Sequence, residues 1–318
     1  MARLGNPGVN RHVSTPPQQY QGRARSHSSK KSAPKDRDAF HVPSPYAQCP
    51  ACELLSIGKT YQDPRHRHID VMSGREIHQL TDYRGHSFQF YFTHPCWIGD
   101  NSAFIFASDR ENHRDYFRYD LDSGLVTQLT DSATRPVRGC CLSPVTDRLY
   151  FWSGRELCEF DLASLTERTV CVLLDGMSGD RPAATADGKH VCVLLCEEST
   201  GSGKTAHYGP PTDGGSRERF ERQPLSQVVR IDVASGEIDV MHEDRRYISH
   251  VNASPTRPNL LTFCHEGPWE LIDQRIWCVN ADTKEVWPIR PQEGAFSIVA
   301  EHWLADGERI GFRSHLRS

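Results

Sequence analysis

One pattern recurs from about Thr60 onward and restricts the fold more than anything else in the chain. A short alternating strand is followed by an acidic or amide residue, a small turn, and a second strand. It reads HIDVMSGREIHQLTD (68–82), FRYDLDSGLVTQLTD (117–131), CEFDLASLTERTV (158–170), VRIDVASGEIDVM (229–241) and CVNADTKEVWPI (278–289). Apolar and polar residues alternate with the period of half-buried strands, and the Asp, Ser and Gly between them suit hairpin turns. Aligned on Asp70, Asp120, Asp161, Asp232 and Asn280, the repeats lie 50, 41, 71 and 48 residues apart. Antiparallel units of roughly 40–50 residues predict an all-β chain of the β-propeller type. Partner strands are predicted in SPVTDRLYFW (143–152), TADGKHVCVLL (185–195), SPTRPNLLTFC (254–264) and LADGERIGF (304–312). The length to Ser318 accommodates about five to six blades. The widest interval contains a Gly/Pro/Ser-rich insertion, residues 197–226, expected to be a long surface loop.

The start of the chain is of a different kind. Residues 1–50 carry a balance of +6, and everything after them carries −10. Rich in Ser, Pro, Gln and Arg, this stretch cannot bury enough apolar surface to offset its ordering entropy. Residues 1–57 are therefore expected to be a disordered basic extension ahead of a propeller domain at 58–318. A transit peptide or a nucleic-acid-binding tail would share the basic composition, but the unstructured extension is the simpler reading, and no nucleic-acid partner is expected. No run approaches the roughly 18–20 apolar residues of a membrane helix, and Met1 to Tyr20 lack the apolar core of a signal peptide. Eleven irregularly spaced cysteines in a chain of 318 residues read as reduced thiols in the cytoplasm.

Two tempting motifs carry little. GSGKT (201–205) has Glu198 where a phosphate loop needs its first glycine, and no helix pattern is read after Thr205. CPAC (49–52) is a single pair without further zinc ligands at finger spacing. Histidine is more informative. Of sixteen, five fall at predicted strand ends beside aromatic or acidic residues: His86, His94, His250, His265 and His302. In a propeller such positions recur blade by blade around one end of the channel, where ligands bind. Arg275, in IDQRIW, adds a guanidinium suited to a carboxylate.

Four stretches go beyond this general pattern: TYQDP (60–64), HPCWIGDNSAFIFASDR with YFRYDLDSGLVTQLTD (94–131), FCHEGPWELIDQRIWCVNAD (263–282) and EGAFSIVAEHWLADGERIGF (293–312). Over roughly 58–318 the chain resembles the oligogalacturonate lyase family, with HEGPW and DQRIW the most specific blocks. The resemblance implies a cytoplasmic seven-bladed propeller that cleaves short galacturonides by β-elimination in pectin breakdown, with a Mn²⁺-type ion. Removing the C5 proton builds a second negative charge beside the uronate carboxylate. The chemistry therefore needs a cation or Arg to neutralise that charge, and a base such as imidazole.

Carried onto this sequence, the resemblance makes His250 the catalytic base. It puts His265, Glu266, Arg275 and His94 around the substrate, with Arg275 on a uronate carboxylate, and leaves His302 as the metal ligand. The chain departs from the family in two respects. Ala300 stands where the family has a metal-binding His, and the family pattern continues into further blades bearing a Gln-x-x-His-x-His cluster. A propeller incomplete at its C-terminus, with an incomplete metal site, is the corresponding expectation; open blade edges would favour association between chains. The alternative is a catalytically degenerate propeller acting as a binding module. A TolB-like periplasmic propeller fits the cysteine load poorly.

Overall fold

The computed structural model describes residues 2–3, 56–133, 135–198, 213–292 and 296–316. The CPAC pair, GSGKT and nearly all of the extension expected at 1–57 lie outside the described residues. Within that extension, Ala2–Arg3 pair with Arg309 and Ile310.

Each repeat recognised in the sequence is a hairpin, and one turn serves all five. The side chains of Asp70, Asp120, Asp161, Asp232 and Asn280 accept hydrogen bonds from backbone N–H groups two or three residues on. Their carbonyls accept from Gly74, Gly124, Leu165, Gly236 and Lys284, all at positive φ. An acidic or amide side chain thus closes the turn locally, which is why that position survives in every repeat.

Four of the five hairpins are built into full antiparallel sheets, one in each. The first joins Thr60–Gln62, Ser87–Phe88, Ala103–Ser108, Asp115–Asp120 and Leu125–Gln128. The second joins Val137–Leu142, Arg148–Ser153, Glu156–Asp161 and Thr166–Val172. The third holds Met177–Gly179, Ala183–Ala184, His190–Glu197, Leu225–Asp232 and Ile238–Arg245. The fourth holds Ile248–Ala253, Leu260–His265, Ile276–Asn280 and Val286–Pro288. Two smaller sheets accompany them: the pair Phe296–Trp303 and Arg309–Leu316, extended by Ala2–Arg3, and the exposed hairpin His66–Ile69 with Glu76–Gln79. Among the described residues, four full sheets and a fifth begun by Phe296–Trp303 and Arg309–Leu316 make about five blades, the lower end of the five to six expected; the exposed hairpin stands apart from them.

From the second sheet onward the inner strands of successive sheets neighbour one another, as blades do around a propeller axis. Middle strands are sandwiched between blades, so LYFW at 149–152 and VCVLL at 191–195 are buried on both faces instead of alternating. Separate apolar layers fill the gaps between sheets one and two, two and three, and three and four. All nine described cysteines are free. Burial pushes thiols such as Cys140 and Cys264 well up, as befits small apolar core residues.

The insertion departs from expectation. Asp213–Arg222, within the stretch anticipated as loop, is a helix with Arg217 and Glu221 paired one turn apart. Arg217 also reaches Glu270, and Arg219 lies over Tyr247.

Candidate active site

The innermost strands are interrupted at a comparable place in successive blades. In the second blade the register breaks at Gly139, in the fourth at His250, and in the next at Ala300, with φ of 52°, 52° and 57°. In the third, Asp180–Pro182 separates two short strands. A bulged residue leaves the ladder and has its side chain re-aimed. Left-handed backbone at non-glycine residues costs on the order of 1 kcal/mol or more, and such strain concentrates at functional positions.

The bulge turns His250 toward the neighbouring strand's end, where its Nε2 lies 3.3 Å from Oε2 of Glu266. Asn252 Nδ2 donates to the His250 carbonyl and holds the bulge. Glu266 is gripped bidentately by Arg275, at 2.9 and 3.1 Å. Arg275 is itself anchored by Glu301, its Nε at 3.0 Å and Nη2 at 3.4 Å. Burial alone would raise the Glu266 carboxyl; the His250 hydrogen bond and the Arg275 charge reverse that and bring it down to about 2. Glu301 is likewise lowered, Arg275 outweighing its burial.

Tyr91 stacks on His250, with ring centroids 5.4 Å apart, and the Arg181 guanidinium lies 4.1 Å from the Tyr91 centroid. Burial pushes the Tyr91 hydroxyl up to about 12. The segment bearing Arg181 is fixed through its carbonyls: Arg138 donates to Gly179, Trp152 Nε1 to Asp180 at 2.8 Å, and His94 Nε2 to Pro182 at 2.9 Å. Arg181 has no ion pair among the described residues. A preorganised guanidinium therefore sits beside the ring that packs on the imidazole.

The expected site residues fare differently. His250 and Glu266 come together. His94 is close, but it is buried and its ring is engaged by the Pro182 carbonyl, which makes it a support for Arg181 instead of a surface for substrate. Burial, then the Arg181 charge, brings it down to about 4. Arg275 was expected on a uronate carboxylate; in the structure its Nε and both Nη atoms bond Glu266 and Glu301 inside the protein. His265 does not line the site either. Alternate residues of a strand face opposite ways, so Cys264 and Glu266 point toward His250 while His265 packs against Trp277 and Phe263. His302 bonds through Nδ1 to the Ala300 carbonyl at 3.0 Å and packs edge-on to Phe92. His86 is exposed and pairs with Asp109. Sequence reasoning missed Tyr91, Arg181 and Glu301. Arg181 precedes a proline in a Gly-Asp-Arg-Pro interruption of strand pattern, which was the available signal.

One group of three possible metal donors stands out among the described residues: His250, Cys264 and Glu266, with donor atoms within 4.8 Å of one another. It suits Mn²⁺ poorly. Both Glu266 oxygens are engaged by Arg275, and the thiol is held protonated by burial, whereas Mn²⁺ takes carboxylate and imidazole donors. This trio by itself therefore does not make a Mn²⁺ site.

An imidazole, a guanidinium and two carboxylates converging on inner strands give this β-propeller a polar candidate site. The chain belongs to the oligogalacturonate lyase family, whose profile matches residues 55–318. It is 28% identical over 255 residues to the oligogalacturonide lyase of Pectobacterium atrosepticum, covering 79% of this chain and 64% of that one. It is 27% identical over 266 residues to the oligogalacturonate lyase of Dickeya dadantii, covering 83% and 67%. The chain therefore spans about two thirds of the length of these relatives. A solved oligogalacturonate lyase in complex with manganese superposes with a TM-score of 0.73 at 25% identity, covering 82% of this chain and 68% of that one. A Vibrio parahaemolyticus oligogalacturonate lyase structure, 22% identical with a TM-score of 0.73, shares the fold.

Proposed function

We propose that this chain carries the β-elimination site of an oligogalacturonate lyase acting on short galacturonides in pectin breakdown. The observation that carries the reading is His250. It is an imidazole on a strained backbone bulge of an inner strand, oriented by an ionised carboxylate and packed with Tyr91 beneath a guanidinium that has no ion pair among the described residues. Arg181 receives the uronate carboxylate and offsets the charge that grows as C5 loses its proton. His250 takes that proton. The C5–H electron pair forms the C4=C5 double bond, and the glycosidic oxygen leaves with the C4–O pair and takes up a proton. Tyr91 keeps base and cation on one scaffold.

Mn²⁺ is the proposed cofactor, supported by the manganese-bound relative; its ligands must extend beyond the trio at His250. A cytoplasmic location is also proposed. Its support is the load of eleven cysteines, which an oxidising compartment would put at risk.

The test is mass spectrometry of digalacturonate incubated with the purified protein, with Mn²⁺ and separately with EDTA. Conversion to one saturated and one unsaturated uronate, lost in His250→Asn, is expected. A folded, monodisperse protein giving no unsaturated product would overturn the reading.

A further inference from the structure

The chain Glu301–Arg275–Glu266 runs from the bulge of one blade to the bulge of the blade before it, and it ends on His250. Its members are almost wholly enclosed, so three charges have been desolvated together. A pair of buried carboxylates about one guanidinium is weak support for stability, since apolar replacements often do as well. Its geometry points to another task.

We infer that Glu301, Arg275 and Glu266 act as a positioning relay that fixes His250 in the tautomer leaving Nδ1 as the proton acceptor. The inference rests on His250 being the base. An ionised carboxylate only accepts hydrogen bonds, so the nitrogen 3.3 Å from Glu266 Oε2 must carry the hydrogen. That nitrogen is Nε2, and Nδ1 has no hydrogen-bond partner among the described residues. The groups facing the imidazole are Tyr91, Glu266 and Cys264, with Arg275, Glu301, His94 and Arg181 behind them. Of these, Glu266 alone is placed as an anionic acceptor for Nε2–H. Glu301 holds Nε and Nη2 of Arg275, which turns Nη1 and Nη2 squarely onto Glu266. When the C5–H bond breaks, the proton goes to Nδ1, and the imidazolium is countered by Glu266 without any group moving.

The test is ring-nitrogen NMR of the protein labelled with ¹⁵N-histidine. His250 is assigned by its absence in His250→Asn, since Asn tolerates the left-handed backbone. The native protein is expected to show the Nε2–H form. In Glu266→Gln the amide oxygen satisfies Arg275 and its NH₂ faces the imidazole, so the population moves toward Nδ1–H. In Glu301→Gln the shift is smaller and in the same direction. On digalacturonate, Glu266→Gln is expected to lower kcat about 10²-fold with little change in KM. A native Nδ1–H tautomer, or one unmoved in both variants, would overturn the relay. The expected tautomers in a native protein without turnover would uphold the relay and sink the assignment of lyase activity.

Discussion

His250 and Ala300 hold the same place in successive blades. Each is the first residue of a bulge on an inner strand, each has left-handed backbone, and each is followed by a buried residue, Val251 and Glu301. One blade presents an imidazole from that place and the next presents a methyl. The Cβ of Ala300 already tolerates the strained backbone, so a larger side chain there adds little further backbone cost.

Ala300→His is therefore expected to supply a second imidazole and tighten Mn²⁺ binding by about 10-fold or more, since outer-shell groups alone are worth that much. Electron paramagnetic resonance of free Mn²⁺ during titration reads this directly. Equal affinity in the native protein and the variant would show that position 300 does not face the metal.

The two arginines of the site separate in the same way. Arg275 lies inside a charge network, and its removal deprives two largely buried carboxylates, Glu301 and Glu266, of their guanidinium. Arg275→Met should cost about 3–5 kcal/mol of unfolding free energy in urea. Arg181→Met should leave stability within about 0.5 kcal/mol and weaken binding of galacturonides instead. Losing both properties in either variant, or stability in Arg181→Met, would reverse these assignments.

Gly179 guards the position of Arg181 from behind. A Cβ there would sit 2.3 Å from the Trp152 ring, which is fully buried and cannot withdraw. Gly179→Ala should cost about 1–3 kcal/mol through overpacking. It should also disturb galacturonide binding, because the Asp180–Pro182 carbonyls move with it. Unchanged calorimetric stability would mean that the second and third blades yield more readily than their packing implies.

The fold was legible because the turn that closes each repeat uses its own side chain: Asp70, Asp120, Asp161, Asp232 and Asn280 announce their hairpins locally. Family motifs picked out His250 and Glu266, which lie together in the structure. Where the structure differs from expectation, the difference concerns direction more than identity. Whether Arg275 faces ligand or protein depends on Glu301, a residue 26 positions away on another sheet. His265 sits between two inward-facing neighbours, and strand alternation sends it the other way. TYQDP, recognised only as a motif, proves structural: Asp63 pairs bidentately with the buried Arg110, whose guanidinium lies over Tyr61. A local pattern does not specify partners brought together by blade packing.

The burial of His265 between Phe263 and Trp277 has a consequence for pH. Burial, then the Arg246 charge, brings its imidazole down to about 4, as burial does for His94. Both folded values lie below the ordinary 6.5, so the unfolded chain takes up protons first as pH falls. Stability from this source is complete above about pH 6.5 and drains away toward pH 4, by up to about 3 kcal/mol for each group. Glu266, lowered to about 2, adds a further loss below its ordinary range near 4.5. His265→Phe should be accommodated against Phe263 and Trp277, since Nδ1 of His265 has no hydrogen-bond partner to lose. The variant should lose roughly half of the histidine-driven slope between pH 6.5 and 4 while keeping galacturonide turnover at neutral pH. Differential scanning calorimetry across that range decides the matter. A stability curve parallel to that of the native protein would mean that His265 is protonated in the fold, and that its place between the aromatic rings is not the neutral, enclosed one described.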